Sequence, residues 1–340
     1  MKAFKYIFFL ILIAIIGLAI YIAVQPNEFD FSRSRTIKAP KALLFNKVND
    51  FKNWPSFSPW IEKEPNAELT YGDNTSGVDG NYAWNGEILG EGNMKTLAID
   101  ANNSINQHIQ FIEPFPSESD INWMFEDTDE GTKVTWNMKG KQDFMTKMFT
   151  TFAGSIEDIT GPDFERGLFK LDSVVVADMK KYSVTVNGET QHGGGYYLYN
   201  TTSCKITELD KKMQEMMPKV GNYFIENKIQ MAGAPFSYYH KWDEENNAVM
   251  FSCCVPTTDK VISNDPEILT GQLEAFKALK TTLKGDYKNL KEAWDTAMTY
   301  AKDKGLEIDQ NGPMLEAYVN DPMQTPNPAD WATEIYMALK

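Results

Sequence analysis

The chain has 340 residues, enough for two domains, and its 42% apolar and 13% aromatic content supports full-sized cores. A formal net charge of -14, spread along the chain, excludes the basic face that phosphate backbones require, so nucleic acid is not an expected partner. Cys204, Cys253 and Cys254 show neither metal-ligand nor disulfide-framework spacing, so no metal and no cofactor is expected and the thiols read as small buried apolar residues.

From Tyr6 to Val24 the chain is apolar and uncharged, which is long enough to cross a bilayer. Ala14, Ala19 and Ala23 do not make a small-x-small cleavage site, so residues 1–28 read as an uncleaved single-pass signal anchor in the inner (cytoplasmic) membrane, with a cleaved signal peptide as the alternative. Lys2 and Lys5 favour an inside N-terminus and extracytoplasmic soluble domains, although Arg33, Arg35 and Lys38 weaken that bias.

Residues 29–182 form the first soluble domain. Phe29 to Ile37 alternates as a strand, and Leu43, Leu44, Val48 and Phe51 have helical spacing. Strand patterns follow over Asn81 to Leu89, Met94 to Asp100, Ser104 to Phe111, Ser119 to Glu126 and Thr132 to Lys139. A helix over Asp163 to Lys181 carries Phe164, Leu168, Leu171, Val174, Val175 and Met179 on one stripe. The order predicts an α+β layout, a curved sheet on a long helix with a cavity between them. His108 stands alone on its strand, and Trp84, Trp123 and Trp136 suit core or cavity wall. Arg35-Thr36-Ile37-Lys38-Ala39-Pro40, Asp50-Phe51-Lys52-Asn53-Trp54, Pro59-Trp60, Gly80–Gly86 and Gly131–Trp136 resemble the START-like polyketide cyclase (SRPBCC) superfamily. That resemblance implies a helix-grip fold and a ligand cavity rather than a particular chemistry.

Residues 183–340 form the second domain. Gly193-Gly194-Gly195 lacks the context of a phosphate-binding loop and reads as a turn. Then an order repeats. Tyr196 to Ser203 is a strand, Lys205 to Glu226 a helix, and Phe236 to Trp242 and Ala248 to Val255 are strands. Gln272 to Thr282, Tyr287 to Lys304, Pro313 to Val319 and Trp331 to Leu339 follow in the same order, which predicts a duplicated β-α-β-β unit around a groove. In the strand Pro313 to Val319, Glu316 and Tyr318 share one face and Leu315, Ala317 and Val319 the other. Glu316 is therefore either solvated at an edge or a carboxylate with a partner or a task.

Lys280–Leu290 with Trp294, Leu315–Pro322 and Ala332–Tyr336 resemble the GyrI-like (AraC effector-binding) small-molecule-binding family. The resemblance implies a central groove for small hydrophobic or amphipathic, often cationic, molecules, with Glu316 as the carboxylate at its base. Some relatives hydrolyse reactive electrophiles with a Glu and a Tyr, so Glu316 and Tyr318 are the candidate catalytic pair in that alternative. Candidate groove residues beside them are Tyr197, Tyr199, Phe236, Tyr238, Trp242, Trp294, Glu334 and Tyr336. Aromatic faces would attract a cation by roughly 0.5–2 kcal/mol each. Phe236, Tyr238, His240 and Trp242 fall on one face of a regular strand, where ordinary sheet packing is the alternative. No DNA-reading helix accompanies the module.

Overall fold

In a computed structural model of the chain, residues 2–340 are described. The chain divides into two compact units, one through Ala177 and one from Asp178 to Lys340.

The first unit begins with helix α1 (Lys2–Ala23) and strand β1 (Glu28–Ile37). Short helices α2 (Lys41–Asn49) and α3 (Pro59–Lys63) lead to β2 (Glu68–Tyr71), β3 (Asn81–Gly86), β4 (Gly90–Asp100), β5 (Ser104–Glu113), β6 (Ser117–Thr128) and β7 (Gly131–Lys141). Helices α4 (Phe144–Ala153) and α5 (Ile156–Met179) complete it. The seven strands make one antiparallel sheet in the order β1-β7-β6-β5-β4-β3-β2. Strand β2 and helix α4 were not anticipated, and α5 starts earlier than Asp163. Its true start is a reciprocal cap, in which Ser155 Oγ accepts from the Asp158 N–H at 3.1 Å and Asp158 Oδ2 from the Ser155 N–H at 3.1 Å.

Phe164, Leu168, Leu171 and Val175 of α5 are buried. Trp123 and Trp136 stack at 4.2 Å between centroids, and Trp136 stacks on Phe164 at 4.1 Å. Gly167 lets α5 come this close, since a Cβ there would stand 2.7 Å from the Trp136 ring. Trp54 and Phe57 add buried rings beside this stack. The place where a ligand cavity is expected is thus occupied by packed aromatic side chains, which corrects that expectation for the space around Trp136. His108 lies beside Asp120, 3.1 Å away, among exposed charges.

The second unit contains β8 (Ser183–His192), β9 (Gly195–Lys205), α6 (Leu209–Glu226), β10 (Phe236–Asp243), β11 (Ala248–Thr257), β12 (Leu269–Leu273), β13 (Phe276–Lys284), α7 (Leu290–Lys304), β14 (Met314–Tyr318) and β15 (Ala332–Ala338). All eight strands form one antiparallel sheet, in the order β12-β9-β11-β10-β14-β15-β13-β8. The expected strand Gln272 to Thr282 is two strands, because the chain breaks at Glu274–Ala275 and the halves pair at opposite edges. β8 and β9, which are consecutive, also pair in different halves. Both connecting turns therefore cross, and the sheet curls so that its edges approach there. Gly194 makes the crossing possible: its φ is +68°, and a Cβ would stand 2.2 Å from the Leu273 carbonyl oxygen.

Residues directly opposite in antiparallel strands point to the same face. The registers Asn200↔Cys253↔Ser237↔Glu316↔Ile335↔Thr281 therefore define a row across one face. Both helices cover that face, with α6 over β9 and β11 and α7 over β13 and β8. The central pair, β10 and β14, runs between them. Cys253 packs under α6 with Val249, Phe251 and Leu209, whereas Cys254 packs in the cluster on the other face. Burial pushes the Cys253 thiol up to about 12.

Candidate functional site

Glu316 sits at the middle of β14 between the two helices, 3% exposed. Its Oε1 accepts from Trp294 Nε1 of α7 at 2.6 Å. Its Oε2 accepts from the Tyr239 hydroxyl at 2.8 Å and the Tyr318 hydroxyl at 3.1 Å. The Tyr318 hydroxyl also lies 2.9 Å from Ser237 Oγ, so Ser237 can donate to Tyr318 while Tyr318 donates to Glu316. Among the described residues no Lys, Arg or His forms an ion pair with Glu316.

Each partner is placed by its own element. Tyr239 and Ser237 alternate onto the helix face of β10, and Ser237 pairs directly with Glu316. Trp294 follows Ala293 on α7, whose Ala293, Ala297 and Ala301 pack against Leu279, Leu283, Ile335 and Met337. Small side chains let the helix axis come close to the sheet, so the indole reaches the strand centre. The rings form a surround: Tyr239 meets Trp294 edge-on at 6.1 Å and Trp242 at 5.8 Å, and Tyr287 meets Tyr318 at 5.5 Å and Trp331 at 4.7 Å.

Burial raises the Glu316 carboxyl above the usual carboxylate range, and the Trp294, Tyr239 and Tyr318 donors oppose part of that rise. Burial first, and the Glu316 charge second, push both Tyr239 and Tyr318 far above the ordinary phenol value. Tyr287 is pushed up to about 12 by burial, then by Asp321, Glu316 and Asp286. Asp210 of α6 adds repulsion on Glu316. Chemically this is a buried carboxyl group facing three neutral donors in an aromatic setting, with the negative charge of Asp210 acting on it. It can accept a cation or a proton.

The ten residues expected at the groove do not gather in one place. Glu316, Tyr318 and Trp294 come together. Tyr197, Tyr199, Phe236, Tyr238, Glu334 and Tyr336 lie on the opposite, helix-free face, because each is out of phase with Glu316 in its own strand or register. There Glu334 pairs with Lys280 Nζ at 2.7 Å and accepts from the Tyr336 hydroxyl at 2.6 Å. Burial pulls Glu334 upward, but the Lys280 and Tyr336 bonds bring it below the usual range. His192 stacks on Phe276 at 4.9 Å on this face, and burial lowers its pKa. Trp242 does not share a face with Phe236 and Tyr238. A β-bulge between Tyr239 and Lys241 turns it to the Tyr239 side. Tyr239 and Ser237 were missed; the Tyr238-Tyr239 doublet was a signal, but only the β10–β14 register shows which ring faces Glu316.

Residues 196–340 match the family model of the GyrI-like small molecule binding domain. The match covers the second unit from β9 onward, and the model it fits describes a class of small-molecule-binding domain. Similar solved structures include the C-terminal domain of EcmrR, at 17% identity over 47% of this chain and 98% of that one, with a TM-score of 0.40. EcmrR in a complex with DNA matches at 16% identity over 59% of this chain and 86% of that one, TM-score 0.40. A protein from Chromobacterium violaceum matches at 13% identity over 44% of this chain and 98% of that one, TM-score 0.34. No curated protein matches the chain.

Proposed function

We propose that the chain is a membrane-anchored receptor for small amphipathic organic cations, which bind at Glu316 in a groove between α6 and α7. The observation that carries this reading is a carboxylate 3% exposed with three neutral donors and, among the described residues, no cationic partner. Such a buried anion is costly, and a bound cation offsets that cost. Tyr239, Trp294 and Tyr318 supply ring faces or edges, and Asp210, Asp286 and Asp321 draw a cation toward the site. Entry requires Trp294 or Tyr239 to yield its bond to the carboxylate. The strand order of β9-α6-β10-β11 and β13-α7-β14-β15 supports a duplicated β-α-β-β unit. In the first unit, the sheet order and buried α5 support the START-like reading. α1 contains a stretch, Phe4–Ala23, long and apolar enough to span a membrane, with N-in orientation and extracytoplasmic units as the proposed topology.

The test is a tryptophan-emission titration of the full chain with an aromatic trimethylammonium ion and its uncharged tert-butyl isostere. Saturable quenching by the cation is expected, at least tenfold weaker with Glu316→Gln, equivalent to about 1.4 kcal/mol. Equal response to cation and isostere would overturn a charge-directed site. A second reading follows from the Ser237–Tyr318–Glu316 chain, with links of 2.9 and 3.1 Å. It makes Glu316 a general base and Tyr318 a proton donor in hydrolysis of electrophiles. Turnover of an activated epoxide, abolished by Glu316→Gln, would favour it over simple binding.

A further inference from the structure

Helix α4 is built inside out. Phe144, Met145, Met148, Phe149 and Phe152 are exposed, Phe149 to 54% and Phe152 to 72%. Its polar side is turned inward, with Lys147 only 5% exposed and Thr146, Thr150 and Thr151 half-buried. A helix on a water-facing surface shows the reverse arrangement. Lys147 Nζ donates to the Ala23 carbonyl at 3.3 Å and to Asn27 Oδ1. It thereby caps the last turn of α1 with a cation, where the helix carbonyls lack partners. We propose that α4 lies flat on the same bilayer that α1 spans, with its phenylalanine and methionine side chains in the headgroup–acyl boundary; this rests on the reading of α1 as an anchor.

The depth fits. The apolar part of α1, Phe4–Ala23, has 20 residues and measures about 30 Å, which matches the hydrocarbon core. Ala23 then lies at the membrane boundary, and the Lys147 contact fixes α4 at that level. Two turns of the sheet at that end carry apolar tips, flanked by the exposed Glu87 and Glu113. The registers Glu28↔Lys141 and Phe111↔Ser117 put the β3–β4 and β5–β6 turns at the α1 end, where Ile88 and Phe115 are 71% and 70% exposed. The turns at the other end carry Asn102, Asn103, Asp129 and Glu130. No positive charge is displayed on the outward face of α4, so the contact is apolar and suits a zwitterionic lipid.

The full chain, carrying Cys204→Ser, is reconstituted in phosphatidylcholine vesicles with an environment-sensitive dye on Phe149→Cys, Phe152→Cys, Asn102→Cys or Ile13→Cys. Lipids carrying quenchers at shallow or deep acyl positions read the depth of each dye. Blue-shifted emission and preferential shallow quenching are expected at 149 and 152, deep quenching at 13 and neither at 102. Quenching at 13 with dyes at 149 and 152 as unquenched as that at 102 overturns the interfacial helix and leaves the anchor standing. Blue shift at 149 and 152 without lipid quenching assigns the face to a protein partner and also overturns it. Absence of quenching at 13 overturns the anchor and the interfacial contact together.

Discussion

Glu316 concentrates the account at the residue scale. Its three donors are all neutral, and two of them, Trp294 and Tyr239, become orphans if the carboxylate is removed. Glu316→Ala should therefore cost about 2–4 kcal/mol, because the buried Trp294 and Tyr239 donors lose their acceptor while Tyr318 can turn to Ser237. Glu316→Gln keeps an oxygen for Trp294, and its amide can donate to a tyrosine hydroxyl that rotates to accept. Urea unfolding should place Gln within about 1 kcal/mol of the native chain near neutral pH. The pH dependence has a definite sign. The folded pKa of Glu316 is raised, so between the ordinary carboxylate value and the raised one the folded state holds a proton that the unfolded state releases. The native chain should lose stability relative to Glu316→Gln as pH rises through that window; a gain over the same window would contradict the burial argument.

At the scale of elements, the site depends on how closely α7 approaches the sheet. Ala293 and Ala297 are fully buried and Ala301 is nearly so, all against Leu279, Leu283, Ile335 and Met337. Ala297→Leu should cost about 1–3 kcal/mol by overpacking. It should also lift Trp294 from Glu316 and shift tryptophan emission to the red; unchanged emission would mean that α7 does not position the indole. Strand alternation made Glu316 and Tyr318 legible as a same-face pair, and the apolar stripe of α7 carried Trp294 along. The rest of the site was hidden in register. Ser237 and Tyr239 face Glu316 only because β10 pairs with β14, and that pairing joins residues distant in sequence. A one-residue bulge then moved Trp242 off its expected face, which a period-two pattern cannot reveal. α4 escaped for a related reason. It was not among the expected elements, and an apolar stripe in any case does not say whether it faces a core or the outside.

For the whole molecule, the sequence made the order of a long apolar N-terminal helix and two α+β units legible, because composition changes and alternation persist over long stretches. It did not reveal that Trp123, Trp136 and Phe164 would fill the expected cavity of the first unit, since ring stacking depends on side-chain volume in three dimensions. Nor did it show that β8 and β12 exchange halves at the sheet edges. Those strands close the frame around a central pair, and that pair carries the buried anion. The most direct measurement is the pKa of Glu316 by carboxyl ¹³C NMR in the full chain, with and without the aromatic trimethylammonium ion. The account predicts a value above the usual carboxylate range in the free protein and a fall when the cation binds. An ordinary value in the free protein, or no change at saturating cation, would contradict it.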